Sequence, residues 1–298
     1  MSIFDQAIAN SVGLLPHRLV ARIARRYIAG EELEAALPVI QRVNSEGCSA
    51  TLNVLGEEVA TTAMAERMRG LHCAALEAIA GRQLSSGISV KLTNLGLAID
   101  QELAQANLYR VLETAARVER FVRIDMEESR YTDVTLQLTQ QTHRAGYQVG
   151  TVIQARLHRS ELDVAEMIKA DIPVRLVKGI YLEPSNRAYT GHEEIREAYT
   201  ARLEQLLTGS AYAAIATHDE RLIQYALKLI EKTGRPRNRY EFQLLLGVRP
   251  ELRRRLLATG HRVRIYVPFG REWLGYSIRR LKENPRMATL IAKAICRG

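Results

Sequence analysis

Six polar side chains in this sequence stand where a short apolar run gives way to a loop. They are Lys91 in SVKLT, Asp125 at the end of FVRID, Gln154 in GTVIQA, Arg175 and Lys178 in VRLVKG, and His218 closing YAAIATH. Any one of them has an equally good reading as a satisfied polar residue of an inner layer. Together, several cations and one acid at a common mouth form an anion or zwitterion site, because a carboxylate leaving water needs charge-assisted donors. A second group lies near the C-terminus. Wound at about 100° per residue, Tyr276, Arg279, Arg280 and Glu283 share one helix face, and Leu274, Ile278 and Leu281 the other. That polar stripe is either a solvated face or a grip in which two arginines beside an aromatic ring fork a carboxylate.

Several other chemistries find no support. There is no glycine-rich dinucleotide fingerprint, no P-loop and no HExxH, which counts against a Rossmann nucleotide fold, a P-loop NTPase and a zincin. A GxSxG elbow is also missing. The seven histidines lack ligand spacing, and Cys48, Cys73 and Cys296 form no CxxC pair, so neither a metal site nor a disulfide framework is expected. The 42 basic and 33 acidic residues leave a net charge of +9. The basic clusters at Arg25 and Arg26, Arg235 to Arg239 and Arg253 to Arg255 are scattered and match no nucleic-acid motif, so a solvated basic face is the expectation and no nucleic-acid partner. No apolar run approaches the roughly 18 residues of a membrane helix, and a soluble, cytoplasmic protein in a reducing compartment is expected.

The elements that must position these groups follow from periodicity. The first 45 residues read as helices, with Leu19, Ile23 and Ile28 and then Leu33, Leu37, Ile40 and Val43 near helical spacing. Eight strand candidates follow, at 51–55, 89–93, 121–125, 150–155, 174–179, 212–218, 240–246 and 262–267. Helical segments lie between them, among them 57–80, 101–117, 132–144, 194–207, 220–233 and 250–259. Such even alternation predicts one α/β domain over residues 1–298, a (β/α)8 barrel with an N-terminal helical extension (1–45) and C-terminal helices (272–298), in preference to a doubly wound sheet. The barrel rule places active groups at the C-terminal strand ends. Within FVRID, Val122 and Ile124 share one face and Phe121, Arg123 and Asp125 the other; in RVRIYV, Arg262, Arg264 and Tyr266 oppose Val263, Ile265 and Val267. If the aliphatics meet the outer helices, Asp125 points inward at the mouth.

At this point the motifs add up. SVKLT, RIDMEES, VIQA, RLVKG-x-Y, ATHD, EFQLLLGV, RIYVPFG and then Y-x-x-RRLKEN, in this order from about Tyr27 to Asn284, resemble the proline dehydrogenase family of the monofunctional bacterial type. The resemblance implies a distorted (β/α)8 barrel with non-covalent FAD. It further implies oxidation of L-proline to 1-pyrroline-5-carboxylate, with a membrane quinone as electron acceptor and peripheral docking at the inner face of the membrane. It puts the last helix over the barrel mouth, so its stripe faces substrate. Arg279 and Arg280 then grip the proline carboxylate with Lys91, while Asp125, Tyr181, Tyr266 and Tyr276 line the substrate-binding pocket, with Leu176 packing nearby. Arg175 stands near the flavin nitrogen that accepts hydride, and Gln154, Lys178, Gly179, Thr217, His218 and Glu283 contact the cofactor. Tyr276 stands where relatives acting on hydroxyproline carry a small residue, which implies a preference for L-proline. Two positions depart from the family pattern: Ile180, where alanine is common, and Arg156, where an aromatic is usual. A larger residue at 180 is expected to narrow the pocket or press on the flavin, and Arg156 to alter the cofactor contact. Three rival readings are a Schiff-base aldolase using Lys178 or Lys91, an arginine-rich nucleic-acid binder, and a relative acting on a different cyclic imino acid.

Overall fold

The computed structural model describes residues 26–56, 59–273 and 276. Within them eight parallel strands run around a closed barrel in sequence order. They are β1 (Ser49–Val54), β2 (Ser86–Val90), β3 (Val122–Ile124), β4 (Val149–Gln154), β5 (Val174–Val177), β6 (Ala213–Ala216), β7 (Tyr240–Leu245) and β8 (Val263–Phe269). The barrel closes where β1 pairs with β8, Thr51 opposite Tyr266. Helix α1 (Leu33–Ser45) precedes β1. The crossovers are α2 (Thr62–Gly81), α3 (Gln101–Arg117), α4 (Thr132–Arg144), α5 (Ser160–Lys169), α6 (His192–Thr208), α7 (Glu220–Thr233) and α8 (Pro250–Ala258). All eight expected strands are present. Helix α5 falls in a stretch to which periodicity gave no helix, and a parallel pairing of β4 with β5 requires such a crossover.

Local chemistry fixes the helix starts. Thr61 Oγ1 accepts from the Met64 amide at 3.3 Å, and Asp100 Oδ1 from the Leu103 amide at 2.8 Å, each satisfying a donor of the first turn. Helix α7 starts on Asp219, whose Oδ1 accepts from the Arg221 amide at 3.1 Å, and stops at Gly234 with φ +62°.

Period-two alternation divides each strand between two environments. Leu52, Ile88, Ile124, Val174, Phe242 and Ile265 join the buried layer shared with the helices. The opposite face points into the barrel and is unusually polar for a lumen normally filled by branched aliphatics. Arg123 shows how such a residue is accommodated. Its Nη1 donates to the carbonyls of Thr151 (2.7 Å) and Pro173 (2.6 Å), and its guanidinium lies 4.8 Å from the Phe121 ring centre. Burial, and then the charge of Arg175, push this guanidinium down to about 9, which leaves it cationic at neutral pH. Gly150 makes the approach possible, since a Cβ there would sit 2.6 Å from Arg123 Nη1 and 2.9 Å from Phe121 Cζ.

Candidate active site

Arg175, on β5, is the centre of the mouth. Its Nη1 donates to Asp125 Oδ1 at 2.6 Å and its Nε to Gln243 Oε1 at 2.6 Å, while its Cζ lies 5.2 Å from the Tyr266 ring centre. Its Nη2 is buried and has no hydrogen-bond partner among the described residues. Asp125 directly follows β3 and uses its other oxygen, Oδ2, to accept from the Tyr266 hydroxyl at 3.0 Å. Ser89 Oγ then reaches the Tyr266 oxygen at 3.4 Å and Asn53 Oδ1 at 3.2 Å. Burial, followed by the Asp125 carboxylate, raises the Tyr266 phenol well above its ordinary range, so it stays protonated and donates.

A second tier holds the first. Gln243 Nε2 donates to Glu241 Oε1 at 2.6 Å, and Arg264 Nε donates to the same oxygen at 2.7 Å. Burial alone would raise Glu241, but Arg264, Gln243 and Arg123 outweigh it and hold the carboxyl below its usual range. An anionic Glu241 therefore orients the Gln243 amide so that its oxygen faces Arg175.

The adjoining strand ends carry a further set. Gln154 Nε2 donates to the Glu127 carbonyl at 2.8 Å. The Glu127 carboxylate accepts from Thr93 N (3.1 Å) and Oγ1 (2.5 Å), and burial raises it despite these bonds and the charge of Lys91. Asp219 Oδ2 receives Lys178 Nζ at 3.3 Å and Arg196 Nε at 2.8 Å. Burial works against the Asp219 carboxylate, yet the two cations keep it below the usual range. His218 Nε2 accepts from the Leu245 amide at 3.0 Å, which puts the ring proton on Nδ1.

Among the described residues the barrel mouth thus offers buried, mutually fixed donors and acceptors around the unsatisfied Nη2 of Arg175. A family model described as Proline dehydrogenase matches residues 36–293. The chain belongs to the proline dehydrogenase family. It is 37% identical over 273 residues to proline dehydrogenase 1 of Bacillus subtilis (strain 168), covering 91% of this chain and 90% of that protein. It is 33% identical over 281 residues to the proline dehydrogenase of Deinococcus radiodurans, covering 93% and 91%. Among solved structures, proline utilization A from Bdellovibrio bacteriovorus, inactivated by N-propargylglycine, shares the fold with a TM-score of 0.83 and 24% identity. The match covers 89% of this chain and 33% of that one. The family assignment decides against the aldolase reading.

On this proline dehydrogenase barrel the expected site residues fall into several sets. Asp125, Arg175 and Tyr266 are joined by direct bonds, and Tyr276, 9% exposed, lies near enough to disfavour ionisation of Tyr266 further. Gln154, Lys178, Gly179, Thr217 and His218 occupy the neighbouring ends of β4, β5 and β6. Lys91 follows β2, which ends at Val90 and not beyond it as periodicity suggested; it makes no hydrogen bond or ion pair among the described residues. Because Arg175 points inward, period-two geometry turns Leu176 outward into the layer shared with Tyr199 of α6, behind the mouth. Arg279, Arg280 and Glu283 lie outside the described residues. Tyr181 sits on the loop after β5, with its carbonyl accepting from Arg156 Nη1 at 2.8 Å, and Ile180 beside it is 54% exposed.

Sequence reasoning missed Gln243, Glu241, Glu127, Asp219 and Arg196. The first two carried a readable signal, since they alternate on one face of EFQLLL as Arg123 and Asp125 do in FVRID.

Proposed function

We propose that the chain is an FAD-dependent enzyme that oxidises L-proline to 1-pyrroline-5-carboxylate and delivers the electrons to a membrane quinone. The observation that carries this reading is Arg175 Nη2, a dry cationic donor left over after Asp125 and Gln243 have taken the other nitrogens. Leaving such a donor unmatched costs about 1–3 kcal/mol, and a polar atom of a flavin ring fits that deficit. Lys178, with 40% of its side chain exposed, and the close turn at Gly179 fit an anionic cofactor alongside. FAD, when bound, supplies the two-electron acceptor that no side chain of the cluster provides.

The chain's own residues have simpler tasks. Conversion of L-proline removes a hydride from carbon 5 and a proton from the ring nitrogen, so the ring has to be held in one pose away from water. Lys91, Arg279 and Arg280 bind the carboxylate. Tyr181, Tyr266 and Tyr276 wall the ring, and Leu176 backs β5 from the helix side. Asp125 keeps Arg175 and Tyr266 in place, and Gln154, Thr217, His218 and Glu283 serve the cofactor side. The residues act as one unit over the whole chain, a reading supported by β1 and β8 closing the same barrel. Purified protein should show a flavin spectrum that bleaches on anaerobic addition of L-proline. Colourless protein that stays inactive after added FAD would overturn the proposal.

A further inference from the structure

Arg156 is a buried arginine, 8% exposed, that makes no ion pair within 4.0 Å among the described residues. Two of its three guanidinium nitrogens go to main-chain oxygens instead, and Nε has no hydrogen-bond partner among the described residues. Nη1 donates to the carbonyl of Tyr181 at 2.8 Å and Nη2 to that of Tyr189 at 3.2 Å. These two residues bracket the irregular stretch between β5 and α6. Within that stretch Ile180 is 54% exposed and Leu182 is 96% exposed, so neither neighbour of Tyr181 anchors it by burial. The next side-chain anchor is Glu183, whose carboxylate accepts from Ser129 N at 2.6 Å and Oγ at 2.5 Å. The stem of Arg156 runs beneath Gly179, where φ is +101° and a Cβ would meet Arg156 Cδ at 2.7 Å and Cγ at 2.8 Å.

We infer that Arg156 is a positioning residue that fixes the main chain at Tyr181, and so sets one wall of the substrate pocket. The inference rests on the proposed role of Tyr181 as a pocket wall. Two consequences follow from a fork that grips carbonyls. Its loss loosens the main chain at Tyr181 without detaching the loop, because the main-chain bonds of Arg156 N to the Lys178 carbonyl (3.0 Å) and of Tyr189 N to the Arg156 carbonyl (2.8 Å) do not depend on the side chain. The effect also vanishes once the Tyr181 ring is absent.

The test is a double-mutant cycle on the FAD-loaded enzyme with L-proline, using Arg156→Met, Tyr181→Ala and the pair, with flavin content measured for each. Arg156→Met should raise KM about tenfold, the worth of one charge-assisted bond, with kcat changed by less than about twofold and flavin content unchanged. Arg156→Gln, which keeps one donor, should fall between and serves if the methionine variant does not fold. In the Tyr181→Ala background the same substitution should add nothing. If Tyr181→Ala raises KM but the two effects multiply, or Arg156→Met leaves KM unchanged, the role of Arg156 is refuted while the pocket stands. An unchanged KM in Tyr181→Ala removes Tyr181 from the pocket, and this inference with it.

Discussion

At the residue scale, burial decides which charges matter. The Arg110 and Glu113 side chains are 69% and 52% exposed, so that pair is screened and adds little. Arg175 and Asp125 are 7% and 10% exposed at 2.6 Å. Removing one partner there strands a buried charge, and Asp125→Asn should lower the unfolding free energy by about 3 kcal/mol or more. Urea denaturation measures this, and a loss no larger than that of Glu113→Gln would show that the pair does not hold the mouth. Tyr276 bears on selectivity. Buried and close to Tyr266, its phenol should crowd a ring hydroxyl on the substrate. A clash of about 2–3 kcal/mol would favour L-proline over 4-hydroxyproline by roughly thirtyfold to over a hundredfold in kcat/KM. Tyr276→Ser should narrow that gap, and equal use of both substrates by the unaltered enzyme would refute the placement.

At the element scale, α2 carries a titratable group that the proposed chemistry does not use. His72 is fully buried with neither ring nitrogen hydrogen-bonded among the described residues, and burial, then the charge of Lys91, lowers its pKa from 6.5 to about 4. The neutral ring is favoured in the fold, whereas the unfolded chain takes up a proton as the pH falls below 6.5. Its contribution is therefore complete above that pH and is lost progressively towards about 4. Between about pH 7 and pH 5 the loss amounts to about 2 kcal/mol. His72→Leu should flatten the stability profile by that amount in denaturation at the two pH values, and parallel profiles would refute the assignment. The elements also explain why the site is rigid: Arg175, Gln243, Glu241 and Arg264 stand on strands, not loops, so each bond in the chain is referred to the same barrel.

At the scale of the whole molecule, the +9 charge bears on where the enzyme works. Among the described residues no helix is long and apolar enough to cross a membrane. Peripheral docking on the cytoplasmic face, where the proposed quinone acceptor resides, would then depend on charge. Co-sedimentation with liposomes should rise with the fraction of anionic lipid and fall as salt shortens the Debye length. Indifference to both would separate the basic surface from membrane docking.

Much of this is legible in the residues alone. Alternation within FVRID and RVRIYV placed Arg123, Asp125, Arg264 and Tyr266 on one face, because a strand's period of two is a local property. The eight apolar runs and the spaces between them similarly determined a (β/α)8 barrel, since parallel strands must be separated by crossovers. Tertiary structure alone decided which of these polar residues meet. Gln243 and Arg175 are 68 positions apart, and Tyr266 and Asp125 are 141 apart, so their bonds exist only once the barrel closes. Closure also set the sense of each face, sending Leu176 to the helices and turning Arg156 onto the carbonyls of a distant loop. Sequence distance carries no record of such contacts, because the closed sheet and the packing of its helices, not the local chain, bring those atoms together.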